Sequence, residues 1–231
     1  MSADALATAV IAAAGSGERL GAGGPKALAE VAGRPLLAWS LAALEGAAAI
    51  GRVVVAAPPG HEEEIGAIAG GAPVIPGGAS RSESVANALK EVESELVVVH
   101  DAARPLATPE LFDAVVSELA KDADCDALIA AAPVADTLKR AQAGRVIETV
   151  SRSELWAVQT PQAFRAEALR NALEADPEAL ARATDDASLI EAAGGVVRIF
   201  RWDEPNLKVT TPADVAIAEA LLRERGLAIA R

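Results

Sequence analysis

The reading of the fold turns on one stretch, Thr8-Ala9-Val10-Ile11-Ala12-Ala13-Ala14-Gly15-Ser16-Gly17-Glu18-Arg19-Leu20-Gly21, with Pro25-Lys26 close behind. Thr8–Ala13 reads as a strand whose apolar run is continuous rather than alternating. Such a strand is covered on both faces, as in a parallel sheet flanked by helices. The chain then turns on glycines. In open parallel sheets ligands bind just past the carboxyl ends of the strands. A glycine turn there lets backbone N–H groups approach phosphate oxygens unobstructed. The dinucleotide fingerprint needs a third glycine where Leu20 stands, and the G-K-[ST] of a P-loop is absent. What remains is a glycine loop carrying Arg19 and Lys26, seven residues apart. It is either an anion loop or a plain turn with surface cations. Gly21–Gly24 has little to pack and is expected to be mobile without ligand.

Outward from this stretch the same alternation repeats. Arg52–Ala57, Pro73–Ile75, Glu95–His100 and Ala127–Ala132 read as further strands. Pro35–Leu44, Glu62–Ala69, Ser82–Glu93 and Pro109–Ala120 read as helices between them. Thr108 before Pro109 is a good N-cap with proline at the first helical position. Asp176-Pro177 breaks a helical pattern, and Thr211-Pro212 opens a last helix to about Arg225. The pattern predicts an α/β fold with a mostly parallel sheet. Val134–Val150 departs from it. Two short segments, Asp136–Arg140 and Arg145–Val150, flank Ala143-Gly144 and read as a hairpin set apart from the sheet. It is either an edge hairpin of its own domain or an arm reaching a partner.

Composition narrows the function. The 231 residues carry 21 Lys and Arg against 33 Asp and Glu, a net charge of −12. A chain this acidic is not a general nucleic-acid binder, and with 3% aromatics and no Tyr it has no face on which to stack bases. Disorder is excluded by 52% hydrophobic and 23% charged residues. A single Cys, Cys125, cannot form a disulfide framework or a cysteine metal site within the chain. The start, Met1-Ser2-Ala3-Asp4, lacks a basic segment ahead of an apolar run, so no secretory leader is expected. No apolar run approaches the ~18 residues of a membrane span. A cytoplasmic protein is expected.

Three further segments hold candidate chemistry. Val99-His100-Asp101-Ala102-Ala103-Arg104-Pro105 puts a carboxylate at a strand end on the edge that bears the glycine loop. Asp101 there is either a ligand for Mg²⁺, which takes one or two carboxylates plus substrate phosphates, or a cap of the next turn. His100 reads as packed and His61 as a surface residue. Pro76–Ser84 supplies a second glycine turn and a Ser-capped helix, with Ser82 as the cap. Asp185-Asp186 reads as a helix start favoured by the dipole. Lys208 lies in a short β-like stretch.

Taken in series, these segments resemble the 2-C-methyl-D-erythritol 4-phosphate cytidylyltransferases of the non-mevalonate isoprenoid pathway. The matching pieces are Ala13-Ala14-Gly15-x-Gly17-x-Arg19-Leu20 with Pro25-Lys26; Gly77-Gly78-x-x-Arg81-x-x-Ser84-Val85; His100–Pro105; Pro133-Val134-x-Asp136-Thr137-Leu138-Lys139; Leu155-Trp156-x-x-Gln159-Thr160-Pro161-Gln162; Thr184–Ala187; and Asn206–Pro212 with Asp214. They run in the family's order from residue 10 to about residue 215.

The resemblance implies a Rossmann-like nucleotidyltransferase sheet in one domain over residues 1–231, with a β-arm at about 133–156 exchanged in a homodimer. The reaction implied is CTP plus 2-C-methyl-D-erythritol 4-phosphate giving 4-diphosphocytidyl-2-C-methyl-D-erythritol and pyrophosphate, with Mg²⁺. Arg19, Lys26 and Lys208 match the catalytic cations around the reacting phosphates. Asp101 matches the carboxylate near metal, nucleotide and substrate. Ala13, Ala14, Gly15, Gly17, Gly78, Ser84 and Ala102 match the nucleotide site, with Lys26. Arg104, Thr137, Arg152, Thr160 and Thr184 match the sugar-phosphate site, with Thr137 and Arg152 reaching it from the partner's arm. Ala27 stands where the family commonly has Gln. No fused cyclodiphosphate synthase domain is expected. The nearest alternative is a ribitol 5-phosphate cytidylyltransferase. From another class, a non-catalytic nucleotide sensor is opposed by the retained cations, and an NAD-dependent oxidoreductase by Leu20.

Overall fold

The computed structural model describes residues 7–21, 23–174, 180 and 183–227. Its main sheet has seven strands: β1 (Ala7–Ala12), β4 (Ile50–Ala57), β5 (Val74–Pro76), β6 (Leu96–Asp101), β7 (Ala127–Pro133), β10 (Trp156–Arg165) and β11 (Val197–Arg201). Across the sheet they lie in the order β11-β7-β10-β6-β1-β4-β5. The pairs β1–β4, β1–β6, β4–β5 and β7–β11 are parallel. The sheet is therefore mostly parallel, as the sequence predicts.

Successive residues of one strand feed two different cores. Ala9 and Ile11 of β1 face the same side as Val98 of β6, under α1 (Leu36–Glu45) and α4 (Pro109–Lys121). Val10, with Val97 and Val99, faces α3 (Arg81–Leu89) and α5 (Ala166–Leu173). Side chains alternate across a strand, so an unbroken apolar run is what a doubly covered sheet requires. On α4, Leu111, Phe112, Val115, Val116 and Leu119 are buried, the helical stripe that faces a core. Each such side chain contributes about 2 kcal/mol by leaving water. α2 (Glu62–Ile68) covers the edge beside β5.

A third cluster holds the end of the chain. Val31, Leu36, Trp39, Leu106 and Val209 pack with Ala218 and Leu222 of α7 (Pro212–Glu224). The small ladder of β2 (Glu30–Val31) and β3 (Arg34–Pro35) joins it through Ala32 N–H, which donates to Glu219 Oε1 at 3.0 Å. This packing fixes the segment that carries Lys208. Cys125 is buried and unpaired with any other cysteine.

Val197–Arg201, outside the strands read from the sequence, forms the edge strand β11, and two more parts of the fold depart from the expectations. Trp156–Arg165, read only as a motif, is an inner strand antiparallel to both β6 and β7. Its register with β7 shifts between Val158 and Gln162, leaving Gln159–Pro161 out of the ladder. Proline lacks the N–H that a central ladder needs, so a bulge is where Pro161 can sit. Second, the α3 cap is Ser80 rather than Ser82. Ser80 Oγ accepts from Glu83 N–H at 3.1 Å and Glu83 reaches back to Ser80 N–H, closing a capping box. The Asp176-Pro177 break lies outside the described residues, as does Ala22 within the segment expected to be mobile.

The hairpin is separate from the main sheet. Among the described residues its strands, β8 (Leu138–Gln142) and β9 (Arg145–Val150), pair only with each other. Ala143 and Gly144 both have positive φ, 48° and 77°, the combination that a two-residue hairpin turn needs. Nearly every residue on it is exposed.

Candidate active site

The site is built where β1 and β6 end side by side. Ala12 and Asp101 are register partners. The chain leaves β1 for β4 and β5 on one side and returns to β6 on the other, which opens a crevice at the strands' carboxyl ends. After β1, a short helical turn over Glu18–Leu20 is bracketed by Gly17 and Gly21, both left-handed with φ of 74° and 68°. Lys26 N–H donates to Gly15 carbonyl at 3.0 Å and closes the loop. A Cβ on Gly17 would lie 3.1 Å from Gly24 O and 3.2 Å from Lys26 Cα. Glycine there sets where Lys26 starts.

The second glycine turn packs against the first. A Cβ on Gly77 would meet Ala14 Cβ at 2.7 Å, and one on Gly78 would meet Glu83 Cβ at 2.3 Å. Gly78 N–H donates to Ser84 Oγ at 3.0 Å, and Ser84 Oγ–H donates to Ser80 carbonyl at 2.9 Å.

Asp101 is the electrostatic centre. Lys208 Nζ lies 2.7 Å from its Oδ2, Arg104 Nε 3.9 Å from the same oxygen, and Arg81 Nε 3.3 Å from Oδ1. Burial alone would raise this carboxyl. Arg81, Lys208 and Arg104 overcome it and hold Asp101 well below the usual carboxylate range. Lys26 is shifted the other way. Burial and the neighbouring Lys208 lower its ammonium, against the opposing pull of Asp101. Cations brought together like this repel one another, and an incoming polyanion relieves the repulsion.

Lys208 is placed by contacts from two segments, the turn after β6 and the bulge of β10. Val209 N–H donates to Ala103 carbonyl at 2.8 Å. Asn206 Nδ2 donates to Gln159 Oε1 at 3.0 Å and Thr160 carbonyl at 2.9 Å. Arg104 Nη1 donates to Asn206 carbonyl at 2.7 Å. The β10 bulge also turns the Thr160 hydroxyl to accept from Asp101 N–H at 3.0 Å, with His100 Nδ1 at 3.2 Å. His100 is fully buried, which pushes its pKa down to about 3. It packs, as the sequence indicated, against Phe112.

Two clefts result. The first, about 630 Å³, is lined by Ala13, Ala14, Gly15, Gly17, Arg19, Lys26, Gly78, Ser84, Asp101, Ala102 and Lys208. Every residue read from the sequence as a nucleotide or catalytic contact is therefore in one place. The second, about 420 Å³, is lined by Arg104, Thr160 and Thr184, with Gln159, Gln162 and Asp185. Arg81, Asp101 and Lys208 line both. Thr137 and Arg152 line neither; both are exposed at the base of the hairpin. Sequence reading missed Arg81 and Asp186. A faint signal was present: a cation in the first turn of a helix opposes the helix dipole, so Arg81 needs another reason to be there.

A doubly covered sheet of this strand order, with cations gathered around a carboxylate at its switch point, is the scaffold of an α/β nucleotidyltransferase. Comparison with known proteins refines that class. Residues 7–224 match the family model of 2-C-methyl-D-erythritol 4-phosphate cytidylyltransferase, IspD. An enzyme of that name from Synechococcus elongatus is 44% identical over 225 residues, covering 94% of this chain and 96% of the relative. Another from Frankia casuarinae is 45% identical over 218 residues, covering 93% of this chain and 80% of the relative. The crystal structure of the Thermus thermophilus enzyme superposes with a TM-score of 0.78 at 35% identity, covering 93% and 98% of the two chains. The chain belongs to the 2-C-methyl-D-erythritol 4-phosphate cytidylyltransferase family.

Proposed function

We propose that the two joined clefts transfer the cytidylyl group of CTP to 2-C-methyl-D-erythritol 4-phosphate in isoprenoid precursor biosynthesis. The products are 4-diphosphocytidyl-2-C-methyl-D-erythritol and pyrophosphate. The observation that carries this is the single wall shared by both clefts, where Asp101 and Lys208 stand between the glycine loop with Arg19 and Lys26 and the pocket with Arg104. A triphosphate in the first cleft and a phosphate monoester in the second would meet there.

The nucleophile is a phosphate oxygen of the monoester. Its second pKa is about 6, so it is largely ionised at neutral pH and needs no general base. Neither histidine lines a cleft, and none is required. A new P–O bond forms at the α-phosphorus as the bond to pyrophosphate breaks. The obstacle is bringing anions together and stabilising the departing pyrophosphate, so positioning and fixed charge carry the catalysis. Arg19 and Lys26 hold the triphosphate. Lys208 bridges the incoming phosphate and the α-phosphate. The backbone of Ala13, Ala14, Gly15 and Gly17, with Gly78, Ser84 and Ala102, cradles the nucleotide. Arg104, Thr160 and Thr184 hold the alcohol phosphate.

The residues also fit a divalent ion. Asp101 offers an ionised carboxylate in the shared wall, and the described residues contain no cluster of three or more His, Cys, Asp or Glu arranged for a metal. That donor set suits an ion carried in with the nucleotide and completed by phosphate oxygens. Bound there, Mg²⁺ would neutralise phosphate charge. The catalytic unit spans the single chain and works as a homodimer, the partner's hairpin supplying Thr137 and Arg152. This reading is supported by their exposure and by their absence from the lining of both clefts of their own chain. The enzyme acts in the cytoplasm, a reading supported by the sequence and by the finding that no helix of the described residues is long and apolar enough to cross a membrane.

Pyrophosphate release tests the proposal. It should require CTP, 2-C-methyl-D-erythritol 4-phosphate and Mg²⁺ together. Equal turnover with ribitol 5-phosphate, or with UTP, ATP or GTP, would overturn the substrate assignment. CTP binding without turnover would make the chain a sensor.

A further inference from the structure

Asp186 opens the helix α6 (Asp186–Ala192), and its side chain is fully buried. Its Oδ2 accepts a short hydrogen bond from Arg81 Nη1 across 105 residues of sequence, while its Oδ1 has no hydrogen-bond partner among the described residues. A buried carboxylate with one oxygen unsatisfied is costly, and an apolar residue of similar size would serve the core at least as well. Arg81 is equally anomalous. It is the first residue of α3, where the helix dipole disfavours a cation, and the Ser80–Glu83 capping box fixes its backbone there. The same guanidinium reaches Asp101 Oδ1 through Nε, on the oxygen that Lys208 leaves free. Arg81 also lines both clefts. Packing explains none of this. A role in the shared wall explains all of it.

We infer that Arg81 is a positioning residue: Asp186 anchors its guanidinium so that it fixes the Asp101 carboxylate where the two clefts meet. The planar fork of arginine can bridge two carboxylates at once, whereas the point charge of lysine cannot. The device ties α3, the end of β6 and the start of α6 into one unit. It thereby sets the nucleotide cleft in register with the alcohol-phosphate cleft. The inference rests on the role given to Asp101 above.

The test uses the full chain with CTP, 2-C-methyl-D-erythritol 4-phosphate and Mg²⁺. Replacing both partners, R81M/D186L, removes the buried pair without stranding a charge, a change that proteins usually tolerate. We expect kcat to fall at least about tenfold while the calorimetric Kd for CTP stays within about twofold, the split of an interaction used in the transition state. In an Asp101→Asn background the same pair of changes should lower kcat by less than about twofold further, since residues acting through one another are not additive. Arg81→Lys keeps the charge but not the fork and should also lose about tenfold in kcat. Parent-like kcat in R81M/D186L or in Arg81→Lys, or full additivity with Asp101→Asn, overturns the inference. If R81M/D186L does not fold, Arg81→Lys decides. Parent-like turnover in Asp101→Asn alone would instead overturn the role of Asp101 itself.

Discussion

The strand-end clefts and the β8–β9 hairpin are built to opposite rules. At the clefts, Asp101, Arg104 and Thr160 are buried and tied to neighbours from distant parts of the chain; Asp101 alone is met by Lys208, Arg81 and Arg104. On the hairpin, the two strands pair with no other strand among the described residues, and Val146 and Ile147 are 55% and 59% exposed. A lone two-stranded ribbon is marginal in water. One region is complete within a single chain. The other leaves Val146 and Ile147 uncovered, with Thr137 and Arg152 exposed at its base. The residues of the nucleotide cleft meet within the tertiary fold, whereas Thr137 and Arg152, which we propose reach a partner's second cleft, line neither cleft of their own chain.

The largest effect should come from the complete region. Lys26→Ala or Arg19→Ala should lower turnover on the order of 100-fold or more, as loss of one preorganised donor does. Circular dichroism should show the fold unchanged. Near-normal turnover would end the claim that the clefts are preorganised for anions. Next comes the incomplete region. V146K/I147K should convert a dimer to a monomer in sedimentation and lower turnover at least about tenfold, or ~1.4 kcal/mol in the barrier. CTP affinity should stay within about twofold. If CTP affinity fell as far as turnover, the two regions would not be separable as described.

Burial also makes the sheet, but not the hairpin, sensitive to pH. His100 keeps a folded pKa near 3 because burial excludes its charged form. Unfolded, the same side chain titrates near 6.5. The unfolded state therefore binds the extra proton as pH falls below about 6.5, so stability is full above that value and is lost toward pH 3. Between pH 7 and pH 5 the loss from this group is about 2 kcal/mol. Denaturant titration of the protein without nucleotide or divalent ion should show it, and His100→Gln should flatten the slope. No such dependence should follow from changes on the exposed hairpin. The smallest effect concerns the floor of the nucleotide cleft. Ser80→Ala should cost about 1 kcal/mol of stability through loss of the α3 cap. It should also weaken CTP binding more than it affects the dimer, since Gly78 and Ser84 hang on the same turn.

Much of this was legible along the chain. The five strands with continuous apolar runs, the cap at Thr108, the helix opening at Thr211-Pro212 and the Ala143-Gly144 turn follow from local chemistry and lie within two residues of where they were read. So do the cations of the glycine loop, because a loop that follows a buried strand can only open at that strand's end. Trp156–Arg165 was not legible as a strand. Its bulge at Gln159–Pro161 breaks the periodicity, and Pro161 argues against a central strand until the register shift is seen.

The order of elements, the glycine turns and the identity of the charged residues are properties of the polypeptide read end to end. They fix which chemistry is available, because backbone freedom and side-chain charge belong to single residues. Which charges meet is a different matter. Arg81 finds Asp186 from 105 positions away, and Asp101 N–H finds the Thr160 hydroxyl from 59. Only the packing of strands and helices brings such distant groups to bonding distance, because hydrogen bonds and ion pairs depend on separation in space and are blind to separation along the chain.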